Sequence, residues 1–248
     1  MALRYRNPPL VEAICEVRFA SAPGRKWTED GEMLHEQIRD RFPVRGTEHE
    51  MDLPIVTPVA LGSTSPSLAR LQFVSEDGNT MVQVGPDVLA VNSLRAHVGW
   101  PELRDTLLQV LTDYRAIAAP LGLTSATVRY INRVEIPLER ELSLDKYFSV
   151  LPGLPQGVPA AVSTFLLHTE VGYEDPTATF TFRFATTEST GEVAAFMLDY
   201  EHFAPGPAVP ELDALAAWLD TGHDRIERAF YGSFTPMTHA EIFGEISS

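Results

Sequence analysis

Thr127-Val128-Arg129-Tyr130-Ile131-Asn132-Arg133-Val134-Glu135-Ile136 is the stretch on which the fold turns. Tyr130, Asn132, Val134 and Ile136 fall on one side of an extended chain; Ile131, Arg133 and Glu135 fall on the other. That period of two marks a strand with one buried face. The strand also opens a series of elements that the chain has already run through once. Upstream, a strand at 11–19 leads into a helix at 29–42, several strands within 68–92 and a long helix at 100–119. Downstream, the strand at 127–136 leads into a short helix at 143–150, three strands within 161–202 and a long helix at 210–234.

The recurrence predicts an α+β fold of two βα(β)3–4α repeats sharing one antiparallel sheet, with the helices on one side. Residues 1–124 are read as a first βαββ(β)α repeat and residues 125–248 as a second βαβββα repeat with a short C-terminal helix. The order resembles that of the TATA-binding-protein-like fold, in which two such halves share a curved sheet. The alternative is a single helix-grip sheet wrapped round the long C-terminal helix, which implies a ligand cavity. A fold of either kind does not assign a function.

Local signals support the elements. Cys15, Val17 and Phe19 alternate with Glu16 and Arg18. Met33, Leu34, Ile38 and Phe42 make a helical stripe that Pro43 ends. Asp77-Gly78-Asn79 separates two alternating runs, 71–73 and 82–84, as a hairpin turn does. Pro54 and Pro58 limit any strand at 53–59 to an edge, and 61–67 reads as loop. Pro101 suits the first turn of a helix whose buried side is Leu103, Leu107, Val110, Leu111, Tyr114 and Ile117. Ser143 is placed to cap the short helix. Phe180, Phe182 and Phe184, then Phe196, Leu198 and Tyr200, make two further half-buried strands. Thr238 and Glu241 have capping-box spacing.

The chain has 248 residues, a net charge of −15 and one cysteine, so no internal disulfide framework exists. Residues 1–124 carry 12 basic and 16 acidic side chains, whereas residues 125–248 carry 7 and 18. So acidic a surface repels nucleic-acid phosphates and anionic lipid and suits a basic protein partner. No apolar run reaches the ~20 residues of a membrane helix, and no signal peptide is read at the start, which points to a cytoplasmic protein.

Certain strings carry a family resemblance. They are Pro8-Pro9-Leu10-Val11-Glu12-Ala13, Gly99-Trp100, Arg129-Tyr130-Ile131-Asn132-Arg133, and Leu219-Asp220 with His223-Asp224, His239 and Phe243-Gly244. In that order they resemble a sporadically distributed bacterial protein family of about 250 residues and unassigned function. The resemblance transfers no catalytic residue. Patchy occurrence is typical of mobile defence or toxin–antitoxin genes, so the resemblance implies a partner-binding role.

No nucleophile elbow, Walker loop, dinucleotide fingerprint or zincin motif occurs. Cys15 sits on an apolar strand face, as a core residue does. Asp220, His223 and Asp224, with His239 close in sequence, form the one set that resembles a metal or hydrolase site, and a solvated acidic helix face explains it as well. The third candidate is the polar face of the sheet: Glu16, Arg18, Arg133, Glu135, Arg183, Asp199 and Glu201. The leading expectation is a non-enzymatic protein-binding module without cofactor or metal. The alternative is a small-ligand binder or metal-dependent hydrolase near the C-terminal helix.

Overall fold

The computed structural model describes residues 4–20, 23–47, 70–94, 99–138, 142–153, 155–156, 164–205 and 212–246. The readings at 53–59 and 61–67 lie outside them.

The elements in chain order are β1 (Arg4–Tyr5), β2 (Leu10–Ala20), α1 (Trp27–Ile38), β3 (Val44–Thr47), β4 (Leu71–Val74), β5 (Thr80–Val84), β6 (Val88–Leu94) and α2 (Trp100–Ala118). They continue with β7 (Gly122–Pro137), a 3-10 turn (Leu144–Lys146), β8 (Leu166–Glu174), β9 (Thr177–Thr186), β10 (Val193–Pro205), α3 (Leu212–Gly232), a π-helical turn (Thr238–Ile242) and β11 (Glu245–Ile246). Nine strands make one antiparallel sheet in the order β3-β4-β5-β6-β2-β7-β10-β9-β8. The three α-helices of the described residues lie on one side of it. A small β1–β11 ladder joins the two ends of the described chain.

The α+β class and the single large antiparallel sheet expected from the sequence are present. The sheet does not wrap round α3 alone, because α1 and α2 share its helix side. The seam placed at 124/125 falls inside β7, a continuous strand that pairs with both β2 and β10.

Alternation explains the core. Cys15, Val17 and Phe19 of β2, Val128, Val134 and Ile136 of β7, and Phe196, Leu198 and Tyr200 of β10 face the helices and are buried. Leu103, Leu107, Val110, Leu111 and Tyr114 of α2 meet them, with Leu215, Leu219 and Ile226 of α3. Ile117 is partly buried against the same cluster. Each such side chain contributes about 1.5–3 kcal/mol by leaving water.

Several local expectations are corrected. Met33 is 56% exposed, because the stripe that packs is Leu34, Ile38 and Phe42. Gly31 takes the remaining contact position of α1, where a Cβ would come within 2.7 Å of Leu71 Cδ1. The helix at 143–150 shortens to one 3-10 turn, since Tyr147 and Phe148 turn into the core and Phe148 bridges to Phe234. Ser143 makes no backbone cap there and bonds the Asp145 side chain instead. The capping box at Thr238 does not form: its hydroxyl donates to Tyr147 O at 2.6 Å, and its N–H donates to Thr235 Oγ1 at 3.4 Å. Strand β3 was not foreseen, being only four residues long and containing Gly46. The hairpin turn at Gly78 is present, with φ of 72°.

Candidate functional site

Side chains directly opposite each other in an antiparallel ladder share a face. Glu16 faces Thr127, Arg18 faces Ser125, Glu135 faces Ala195, Arg133 faces Met197, and Asp199 faces both Ile131 and Arg183. Glu201 faces Arg129 and Thr181. All seven residues expected on the polar face therefore share the side of the sheet away from the helices.

The centre of this face is Asp199, whose side chain is only 2% exposed. Arg129 clamps it with two bonds, Nε to Oδ1 and Nη2 to Oδ2, both 2.8 Å. Arg183 donates to Oδ2 at 2.9 Å from the neighbouring strand. Both guanidiniums also approach Glu201, at 4.0 and 3.7 Å. Burial works against the charge of Arg129, but Asp199, Glu201 and Glu12 outweigh it and raise its pKa. Bidentate arginine–carboxylate pairs of this kind are stiff and directional.

The first half carries a more open counterpart. Glu16 accepts from Arg18 at 3.0 Å and from Arg70 at 3.2 Å; Arg18 reaches Asp87, and Arg70 reaches Gln83 at 3.0 Å. Glu12, itself almost buried, accepts from Asn92 at 2.5 Å. Arg133 and Glu135 pair at 2.9 Å near the far end of β7. Sequence reasoning missed Arg129, Glu12 and Arg70. Arg129 was within reach, because it has the parity of Arg133 on the same strand. Arg70 was not, because only the register of β4 and β5 brings it near Glu16.

The C-terminal histidine–carboxylate set is divided between two places. Asp220 accepts from Trp100 Nε1 at 2.7 Å and from Arg104 at 2.8 and 2.9 Å. Burial pushes its pKa up, but the Trp100 and Arg104 donors overcome this and hold it below the usual value. His223 stacks on the Trp100 indole at 4.5 Å, and its Nδ1 shares a hydrogen bond with the Tyr130 hydroxyl at 2.7 Å. Burial keeps that phenol protonated and lowers the pKa of His223, against the opposing pull of Glu227, Asp224 and Asp220. Together these contacts clasp the start of α2 to α3.

His239 does not fold back to that clasp. Its Nε2 donates to Tyr231 O at 3.1 Å, and its Nδ1 meets the Tyr5 hydroxyl at 2.7 Å, so it locks the C-terminal turn onto β1. The residues that do converge are His223, Asp224 and Glu227, whose ligand atoms lie within 4.8 Å of one another. One imidazole with two carboxylates is a donor set that divalent ions accept.

Cys15 is fully buried in β2, and burial drives its thiol pKa far up, which removes the thiolate that a nucleophile needs. Among the described residues no helix is long and apolar enough to cross a membrane. No protein-family model matches the chain, and no curated protein matches it.

Proposed function

We propose that the chain is a non-enzymatic protein-binding module that uses the open face of its sheet to hold a partner with a basic patch. The carrying observation is how the charges are layered. The arginines of this face, Arg18, Arg70, Arg129, Arg133 and Arg183, are 21–34% exposed; Asp199, Glu16 and Glu201 lie deeper, at 2–23%, and Asp87, Glu135 and Glu170 are 39–61% exposed. Four of these arginines bond Asp199 or Glu16, Arg133 pairs with Glu135, and the more exposed carboxylates leave the outer charge of the face negative. Such a layer favours cationic protein side chains and repels phosphate backbones.

The same reading holds that the two halves are copies of one βα(β)3–4α unit with TATA-binding-protein-like topology. In its support, the sheet reads outward from the central β2–β7 pair as β6, β5, β4 on one side and β10, β9, β8 on the other. It also holds that the partner is a neighbouring gene product in a bacterial defence or toxin–antitoxin system and that the complex is cytoplasmic.

The test is a native pull-down with mass spectrometry, comparing the wild-type chain with the double reversal Arg133→Glu, Glu135→Arg. A partner lost by the variant and released by salt supports the reading; identical capture by both chains defeats it. Random duplex DNA should show no shift at ~150 mM salt, where the Debye length is about 8 Å. A second reading, a metal-dependent hydrolase or small-ligand site, rests on the convergence of His223, Asp224 and Glu227. Stoichiometric manganese or zinc in protein purified without chelator, lost in Glu227→Gln, would put it first.

A further inference from the structure

The two ends of the sheet are not equally protected. At one end β3 is four residues long and carries Arg45 and Gly46. At the other end β8 is nine residues, Leu166-Leu167-His168-Thr169-Glu170-Val171-Gly172-Tyr173-Glu174, with no lysine, proline or register break against β9. Among the described residues no strand pairs with its outer edge. Exposed edges template the addition of another strand, and chains ordinarily guard long ones.

The direction of the free hydrogen-bonding groups follows from one bond. Thr186 N–H donates to Phe165 O at 3.2 Å, so residue 165 is of the type bonded to β9. The register from 166 to 174 is unbroken, so the odd residues of β8 bond β9. The N–H and C=O groups of Leu166, His168, Glu170 and Gly172 therefore point outward, whereas Glu174 O, beside the hairpin, accepts from Thr177 Oγ1 at 3.0 Å.

We propose that this edge joins a second copy of the chain, β8 to β8, antiparallel about a two-fold axis at Thr169. Only registers that pair even residues with even residues satisfy the outward groups. In a register centred on Glu170 or His168, a like residue would face itself on the charged side. Centred on Thr169, His168 of each copy faces Glu170 of the other, and Leu166 faces Gly172. On the opposite side Leu167 faces Val171, and Phe165 faces Tyr173. Each imidazole then meets a carboxylate and Leu167 meets Val171, with Thr169 facing itself on the axis, and each even pair exchanges two ladder bonds, about eight in all.

The helix side beside β8 agrees with a covered state. Val171 is 54% exposed, and a groove of about 440 Å³ opens between β8 to β10 and α3, lined by Leu167, Val171, Phe180, Phe182, Tyr200 and Ala229. Joining β8 to β8 brings the two grooves together across the axis. Each chain carries −15, so added salt screens their repulsion and tightens the dimer, the opposite of its effect on a basic partner.

The test is sedimentation equilibrium of the full chain up to about 100 µM, a range that detects micromolar dimers. The wild type is expected to give twice the chain mass. Glu170→Pro removes one outward N–H and leaves every bond to β9, so it should weaken the dimer at least about tenfold while keeping the fold by circular dichroism. His168→Glu should also dissociate it, and adding Glu170→His should restore it. That exposed pair decides the question even if the proline variant unfolds. A wild type that stays monomeric, a dimer indifferent to Glu170→Pro, or a charge swap that fails to restore association overturns the proposal.

Discussion

The two outer wings of the sheet are built from the same kinds of strand and closed by different means. In the wing of β4 and β5, helix α1 lies over Leu71, Phe73, Val82 and Val84, and Leu34, Ile38 and Phe42 seal them. In the wing of β8 and β9, a 3-10 turn stands where a helix would lie, and the aromatic ring of Phe148 packs on Phe184, Phe196 and Phe234. Strand β8 stays largely exposed in consequence. The ionic groups differ in parallel: the β9–β10 wing concentrates two arginines on one buried carboxylate, while the first spreads its pairs over Glu16, Asp87 and Gln83. The helix-poor wing is held by aromatic rings on one face and a desolvated ion triad on the other.

The largest effect should come from that triad. Asp199→Ala leaves Arg129 and Arg183 facing each other without their shared carboxylate. Breaking a buried pair typically costs about 3–5 kcal/mol. Glu16→Ala, in the more open counterpart, should cost about 1 kcal/mol or less. Urea unfolding of the two variants measures the gap, and equal losses would break the contrast between the wings.

Acid should act on the second half more than on the first. His202 is fully buried against the Trp218 ring and near Tyr173, and neither ring nitrogen has a hydrogen-bond partner among the described residues. Burial, with Arg225 nearby, lowers its pKa to about 4. The unfolded chain takes up this proton near pH 6.5, so the stability is complete above 6.5 and is lost as pH falls toward 4. The loss should reach roughly 1–3 kcal/mol. Unfolding curves at pH 7.5, 5.5 and 4.5 should show it, and His202→Leu should flatten the dependence between 6.5 and 4.

Each half also has one helix glycine at a close approach. A Cβ on Gly222 would lie 2.6 Å from His202 Cδ2 and 3.3 Å from Val128 Cγ2, against a stiff ring and a strand. Gly222→Ala should cost about 1–3 kcal/mol. A Cβ on Gly31 meets the tip of Leu71 at 2.7 Å, which can turn aside. The helix propensity gained there, about 1 kcal/mol, offsets the strain, so thermal unfolding of Gly31→Ala should differ little from wild type.

The smallest effect belongs to the rim of the open face. Glu135→Gln removes one partner of an exposed pair and should change stability by less than about 1 kcal/mol. A larger loss would mean that the rim supports the fold and is not free to serve a partner.

The sequence alone determined the class of the fold and the inward residues of most strands. Alternation is a local property, and it survives in Cys15-Glu16-Val17-Arg18-Phe19 and in 130–136 whatever the partners are. It also set which charged residues share the open face, since parity along a strand decides the side. It could not say that Asp199 would lie under two arginines while Glu135 stands exposed, because that depends on which strands are neighbours and in what register. It placed His239 near His223 from closeness in sequence. The structure instead ties His239 to Tyr5, 234 positions away, through the pairing of the chain's two ends. The short turn at Leu144–Lys146 was decided in the same way: local spacing allowed a helix at 143–150, and burial of Phe148 among three aromatic rings outweighed the few hydrogen bonds that helix would have made.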